Sequence, residues 1–521
     1  MATTEDFYLP EEILDKICAS ADPTSLAKLC LASKTLNRIA TARLYSHIEL
    51  NHLGDTAEEV SQIIPLAYLF FRSPAHAALV SSVDVGGPWG RMEEDKDLCD
   101  KLSWPKSRTR ETENLLKNTC AKFASTDEER DEMYSAIASG TNEDAILAML
   151  LASLPNLRRL DINFGCSEET DEFIWLFEKL CGQEAMTDRL KPVPIDVMVR
   201  GDDDKYPHNP AHLATFFHLP NVRSIYAYKM GNEEAEQKEP FMRLKPHTCT
   251  VEIIELRTSK LHKDNLKLLV AATIPGKLKT FNYEIGCTWA WCDVDHPAIM
   301  ESLAIHHDTL ENLGLSHEDF YPYQFVGNAD ITTPCTFIEF TALKRLKVAP
   351  VYVWGHEGFT NSASLGRAVS KEVLWQALPR NLEELWITRA EHQAEDSEIR
   401  FEPACLLPAL DCVVRHKTEA YPKLSHLRVE FPPKNWQTEW LDELASICER
   451  ARTYGIECTI ILTHVERRTQ WAERKWGWDE DMEWGHIWQN EEARKHWIVA
   501  AVEEDLTQKL RDVKIVADAD M

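Results

Sequence analysis

The sequence predicts an α/β protein: a three-helix module at the N-terminus, then an irregular solenoid with a parallel inner sheet and outer helices. Three observations lead there. Three capped amphipathic segments occur before residue 50. An apolar triplet at i, i+3 and i+5 recurs beyond residue 75, and stretches of helical spacing fall between its copies.

Composition sets the limits. The 521 residues carry 57 basic and 85 acidic side chains, a net charge of −28, with 44% hydrophobic and 27% charged residues. That balance belongs to a globular chain, not a disordered one. The longest apolar stretch, residues 63–71, is shorter than the roughly 18 residues of a membrane span and contains Pro65. A pI near 5.1 argues against nucleic acid or an anionic membrane as partner. Residues 1–6 are polar and acidic, unlike a secretory leader, and no Asn-x-Ser/Thr acceptor occurs. The 14 cysteines fall well short of a disulfide scaffold. Free thiols in a reducing compartment, cytoplasmic and/or nuclear, are therefore expected.

The N-terminal helices announce themselves in order. Leu9-Pro10-Glu11-Glu12-Ile13-Leu14-Asp15-Lys16-Ile17 puts Pro10 at a first helical position and two acids in the first turn. Asp22-Pro23 caps a second helix bearing Leu26, Leu29, Cys30 and Leu31. Ser33 caps a third with Leu36 and Ile39, and Leu44, Tyr45, Ile48 and Leu50 continue its apolar pattern. Three such helices enclose little core alone, so part of their apolar surface is expected to meet a partner or the rest of the chain.

This stretch resembles the F-box. Leu-Pro-x-Glu-Ile-Leu-x-x-Ile at 9–17, then Asp22, Leu26 and Leu29-Cys30-Leu31-Ala32-Ser33-Lys34, fall in family order. The run Ala40-Thr41-Ala42-Arg43-Leu44-Tyr45-Ser46-His47-Ile48 is similar to the fungal branch. Leu36-Asn37 departs from members with an aromatic after the Ser/Cys-Lys pair. The resemblance implies docking onto the Skp-type adaptor of a cullin–RING ubiquitin ligase, with the cullin as scaffold. The residues it assigns to that contact are Leu9, Pro10, Ile13, Leu14, Ile17, Leu26, Leu29, Leu31, Ser33, Leu36 and Ile39. The other reading of residues 1–50 is a small helical cap on a larger domain.

Beyond the module the triplets follow: Val80/Val83/Val85, Leu157/Leu160/Ile162, Val222/Ile225/Ala227, Val251/Ile254/Leu256 and Leu278/Phe281/Tyr283. Leu310/Leu313/Leu315, Leu343/Leu346/Val348, Leu382/Leu385/Ile387 and Leu424/Leu427/Val429 complete the series. Their last two positions have the period of a strand, and Leu-x-x-Leu-x-Leu is the strand signature of a leucine-rich repeat. From Val222 onward the intervals are 29, 27, 32, 33, 39 and 42 residues, longer and less regular than ordinary repeats of that kind. Helical spacing at 142–154, 173–180, 266–271 and 373–378 supplies the outer layer, and Asn156, Asn221 and Asn381 mark the turns into strands. The array is expected over 51–462, with a charged, partly helical insertion at 92–143 and acidic loops at 201–206 and 231–239.

Side chains alternating with the triplets should line the concave face: Arg159, Asp161, Tyr226, Glu255, Asn282, Arg345, Lys347, Trp386, His426 and Arg428. Of these, Arg159, Tyr226, Arg345, Lys347, Trp386 and Arg428 are candidate contacts for a protein substrate of unknown identity, with exposed Tyr and Trp as hot spots. Arg345, Lys347, Arg389 and Arg428 make the later strands basic, which points to an acidic or phosphorylated target segment. A solvated strand face accounts for each residue equally well. After a last strand at 456–462, Trp471, Trp476, Trp478, Trp484, Trp488 and Trp497 suggest a helical cap over 463–521, or else a peptide groove.

Nothing in the sequence reads as an active site. No phosphate-binding glycine loop, nucleophile elbow or His-Glu-x-x-His occurs, so no catalytic residue, cofactor or metal is assigned. Cys287, Cys292 and His296 lack a second ligand pair at zinc spacing, and His306-His307 read as surface histidines. The expected function is a non-catalytic substrate-recognition subunit of an SCF-type ligase. The alternative is a non-degradative F-box scaffold or regulator.

Overall fold

The computed structural model describes residues 9–50, 62–86, 104, 109–138, 143–164, 171–181, 193–200, 209–231, 239–286, 295–317, 335–355, 371–388, 392–393, 400–401, 403–431, 438–462 and 514–517. The chain divides into two compact units, residues 1–198 with 218–222, and residues 199–217 with 223–521. The expected seam at residue 50 is not a division between units. The third N-terminal helix runs straight into a strand, with no breaker between them.

In the first unit the module is α1 (Glu11–Ala19), α2 (Pro23–Ala32) and α3 (Lys34–Ser46). Asp22 Oδ1 accepts from Ser25 N at 2.9 Å and Ser33 Oγ from Leu36 N at 3.1 Å, the two caps that the sequence predicts. Pro10 stands one place earlier than expected, as the N-cap, where its carbonyl accepts from Ile13 N at 3.0 Å. Cys18, Leu26, Ile39 and Ala40 form the module core, edged by Leu14, Leu29, Leu36 and Leu44.

β1 (His47–Leu50) then pairs parallel with β2 (Ser82–Val85), and β2 with β3 (Arg159–Asn163). Ile48, Val83 and Leu160 stand abreast, as do Leu50, Val85 and Ile162. Ile48 and Leu50 therefore open the strand array instead of continuing α3. β4 (Ile195–Arg200) follows β3, with Asp196 N donating to Arg158 O at 2.8 Å. The helices of this unit are α4 (Ile63–Arg72), α5 (Pro74–Ala77), α6 (Thr109–Cys120), α7 (Asp127–Ala138), α8 (Glu143–Ala152) and α9 (Asp171–Cys181). α8 packs between α4 and α9, and the insertion's α6 and α7 pack on each other and on this layer.

In the second unit parallel strands succeed one another: β5 (Val222–Tyr228), β6 (Ile253–Ser259), β7 (Thr280–Ile285), β8 (Asn312–His317), β9 (Arg345–Val348) and β10 (Glu384–Ile387). A short antiparallel pair, β11 (His392–Gln393) and β12 (Arg400–Phe401), stands apart from the sheet. β13 (His426–Phe431), β14 (Glu457–Leu462) and β15 (Lys514–Ala517) complete the parallel order. The register is that of the triplets. Ile225, Ile254, Phe281, Leu313, Leu346, Leu385 and Leu427 form one buried row, and the i+5 positions form the next.

The interleaved helices are α10 (Ala211–Phe216), α11 (Glu239–Met242), α12 (Lys263–Ala272), α13 (His296–Leu303), α14 (Val373–Ala377), α15 (Pro403–Ala420) and α16 (Thr438–Thr453). Each packs on the next from α10 to α13 and from α14 to α16, as crossovers on one face of a sheet must. The turns are stitched by side chains. Asn156 Nδ2 donates to Ala78 O at 2.7 Å and Asn381 Nδ2 to Thr341 O at 2.8 Å, while Asn221 bonds the carbonyl of Val193. Just before the strands, Lys279 pairs with Glu252 and Lys344 with Glu311, each at 2.7 Å.

Among the described residues no helix is long and apolar enough to cross a membrane. Within 463–521 the described residues are a strand, β15; the tryptophans from Trp471 to Trp497 lie outside them.

Candidate functional site

Two surfaces carry the side chains that the sequence singles out. On α1, Leu14 and Cys18 face the module core, while Asp15 reaches α3, where Arg43 Nε and Nη2 contact its two oxygens at 2.9 and 2.5 Å. That hydrogen bond holds the Asp15 carboxyl below its usual range. Ile13 and Ile17 are turned roughly 100° from Leu14 and Cys18, because each residue advances the helix by that angle. They remain 42% and 44% exposed. Leu31, at the end of α2, is 88% exposed, and Pro10 is exposed too.

The eleven residues assigned by the resemblance thus separate. Leu26 and Ile39 are buried, and Leu14, Leu29 and Leu36 pack against them. Leu9 is half-buried, and Ser33 caps α3. Pro10, Ile13, Ile17 and Leu31, with the capping Ser33, are the exposed ones.

The second surface is the sheet face opposite the triplet rows. Register puts Arg345, Glu384 and His426 in one lane. The next lane holds Tyr226, Glu255, Asn282, Gly314, Lys347, Trp386 and Arg428. In the first unit Arg159 and Asp161 align with Ser82 and Asp84. The predicted alternation is therefore real, but its exposure is not as expected. Tyr226 and Trp386 are each only 1% exposed, so neither is a protruding hot spot. Neighbouring strands lie about 4.8 Å apart, and long side chains on adjacent strands of one lane close over an indole or a phenol between them.

The basic residues are also engaged internally. Arg428 Nε lies 2.5 Å from Glu384 Oε1, a close ion pair without hydrogen-bond alignment, and Arg345 Nε lies 3.9 Å from Glu384 Oε2. Lys347 Nζ sits 4.4 Å from the Trp386 ring centroid, with the Arg428 guanidinium 5.4 Å from the same ring. The expected free basic face is instead a cluster built around a buried carboxylate and an indole, with Arg345 and His426 at its more accessible rim. In the same lane Asn282 Nδ2 donates to the buried Glu255 at 2.9 Å. Gly314 beside it gives the Asn282 amide its place, since a Cβ there would stand 2.4 Å from Asn282 Oδ1 and force the amide to shift.

Glu384 is the residue that sequence reasoning overlooked. The signal was present: aligned triplets put Arg345, Glu384 and His426 at the same i+2 position. His306 was also misplaced. It is buried, with Nε2 2.6 Å from Thr273 Oγ1 and Nδ1 accepting from Gly276 N at 3.2 Å, whereas His307 is exposed as expected. Burial and the neighbouring His247 depress the His306 pKa to about 4. His296 is fully buried against Tyr352, at 4.2 Å between rings, and burial pushes it down to about 3. Cys287, Cys292 and Arg389 lie outside the described residues.

Among known proteins, neither a family model nor a curated sequence matches this chain.

Proposed function

We propose that this chain is a substrate-recognition subunit of an SCF-type cullin–RING ubiquitin ligase. The N-terminal module binds a Skp-type adaptor, and the strand array receives a protein target. The observation that carries the reading is the module's division of labour. A separate core holds the three helices together, and Ile13, Ile17 and Leu31 remain exposed beside Pro10 within the F-box-like sequence. Large aliphatic side chains that folding does not use, rimmed by the Glu11–Arg38 and Asp15–Arg43 ion pairs, have the make-up of an interface core with a polar rim.

The mechanism is proximity. Held by the adaptor–cullin assembly, a target's lysines reach a high effective concentration near the ubiquitin-transferring subunit, and this chain makes or breaks no bond. On the array, the rim of the cluster around Glu384, Arg345 with His426, is the part that meets that target.

The test is capture of purified Skp-type adaptor by the full chain. Ile13→Ala with Ile17→Ala and Leu31→Ala should weaken binding about tenfold or more per residue and leave unfolding unchanged. Unaltered adaptor binding by the triple variant, or none by the parent chain, overturns the reading. Adaptor binding without cullin recruitment or target turnover would select the non-degradative scaffold instead. Arg345→Glu with Lys347→Glu separately tests the target face: unchanged target capture would remove those strands from it.

A further inference from the structure

The packing of α16 on β14 puts a cysteine on each element of the last described helix–strand pair. Cys458 is the second residue of β14 and stands beside Leu427, in the row of side chains continuing the triplet core. Cys448 lies on the buried face of α16 with Leu444, Ile447 and Ala451, and α16 packs on β14. A tight reversal fixes the pair. Ile456 N donates to Ala451 O at 3.0 Å, and Gly455 takes φ 73°, a left-handed conformation that side chains disfavour. Both remain thiols, and hydrogen bonding toward Cys458 together with burial pushes the Cys448 thiol up. Cys448 is buried and Cys458 half-buried, so Cys458 is the more accessible residue of the two.

We propose that Cys448 and Cys458 are a redox-responsive pair, which a hydroperoxide converts into a disulfide joining α16 to β14. The Cys458 thiolate attacks the peroxide, the O–O bond breaks, and the distal oxygen stays on sulfur as a sulfenic acid. Cys448 then gives up its proton, its sulfur attacks Cys458 Sγ, and water leaves as the S–S bond forms. In total two thiols lose two protons and two electrons, and the peroxide is reduced to an alcohol, or to water, plus one further water. A small-molecule thiol reverses the reaction by exchange. The bond closes a short loop, so it leaves the strand order intact and fastens the unit on which β15 pairs. It is independent of the adaptor reading, since α16 and β14 lie in the other unit from the module.

The experiment uses the reduced full chain, freed of reductant, and one equivalent of hydrogen peroxide. Acid quench, alkylation and tryptic mapping follow. Cleavage beside Lys434, Arg450, Arg452 and Arg467 places the two cysteines on peptides 435–450 and 453–467. We expect these two peptides linked as the main product, released by dithiothreitol, with backbone exchange of α16 slowed at least tenfold. Linkage of either cysteine chiefly to Cys412 or Cys405 on the adjoining α15 overturns the proposal. So does recovery of both peptides as alkylated thiols while other cysteines oxidise. In Cys448→Ser the order of steps becomes visible: dimedone should label Cys458. An unlabelled Cys458, with the parent chain linked normally, shows that Cys448 reacts first and overturns the sequence of events.

Discussion

The N-terminal module and the strand array of the second unit use the same aliphatic residues in opposite ways. In the module, Leu26 and Ile39 close a small core, while Ile13, Ile17 and Leu31 are left in solvent. In the array, Ile254, Phe281, Leu313, Leu346 and Leu385 are all buried in one row, and even Trp386 on the other face is enclosed by its neighbours. Apolar surface in the array is consumed by stacking one strand unit on the next. In the module it exceeds what the helices cover, and Ile13, Ile17 and Leu31 are the excess.

The sharpest way to break this contrast is one truncation in each region. Phe281→Ala removes a ring packed between Ile254 and Leu313 in the ladder and should cost about 3–5 kcal/mol in urea unfolding. Ile13→Ala should stay within about 0.5 kcal/mol of the parent while weakening adaptor binding. If the two variants lose similar stability, the surface of α1 is structural and the contrast is false.

The two units should also answer pH with opposite signs. In the first, burial raises Glu143, at the start of α8, from an ordinary 4.5 to about 7. The folded state then holds a proton that the unfolded chain has lost, so this contribution is complete below pH 4.5 and vanishes as pH rises through 7. In the second, His296 and His306 are depressed from 6.5 to about 3 and about 4. Their contribution is complete above pH 6.5 and is lost as pH falls towards those values. Each group is worth about 3–5 kcal/mol over its window. Hydrogen exchange should show α8 loosening between pH 5 and 8, and α13 loosening in the opposite direction. Glu143→Gln should abolish the first effect alone; α8 and α13 moving together would refute the assignment.

What the sequence made legible follows from how local each signal is. The triplets predicted nine strands because a buried ladder demands an apolar residue at every rung, and Asn156, Asn221 and Asn381 marked turns because their amides tie one repeat to its predecessor. β1 was read as helix, since nothing between Ser46 and Ile48 breaks α3 and only pairing with β2 reveals the strand. β4 passed unnoticed because Ile195, Val197 and Val199 lack the leading leucine. In the candidate face, strand alternation correctly ordered Arg345, Lys347, Trp386 and Arg428. Their enclosure depended on lateral neighbours from strands about 40 residues apart, which no local pattern records. His306 was misplaced for the same reason: its partners, Thr273 and Gly276, belong to the preceding helix–strand repeat.

A smaller effect tests whether the cluster on the array is held together from within. Glu384→Gln keeps the shape but leaves Arg345 and Arg428 without their shared carboxylate, and should cost about 1–3 kcal/mol. In a double-mutant cycle with Arg428→Met the coupling should exceed about 0.5 kcal/mol. Additive losses would mean that the guanidinium is solvated, leaving the face basic and available, as the sequence suggested.

The smallest expected change separates the two roles that converge on Ser33. Its Oγ accepts from Leu36 N at 3.1 Å and so starts α3, yet the F-box resemblance also assigns it to the adaptor contact. Ser33→Ala should lower stability by about 1 kcal/mol through the lost cap. Ser33→Asp retains a capping oxygen, adds a favourable charge at the helix start, and should recover most of that stability. If adaptor affinity recovers in parallel, Ser33 acts only by holding α3, and the contact belongs to Ile13, Ile17 and Leu31. If stability returns and affinity does not, the hydroxyl itself meets the adaptor, and the interface extends from α1 across the start of α3.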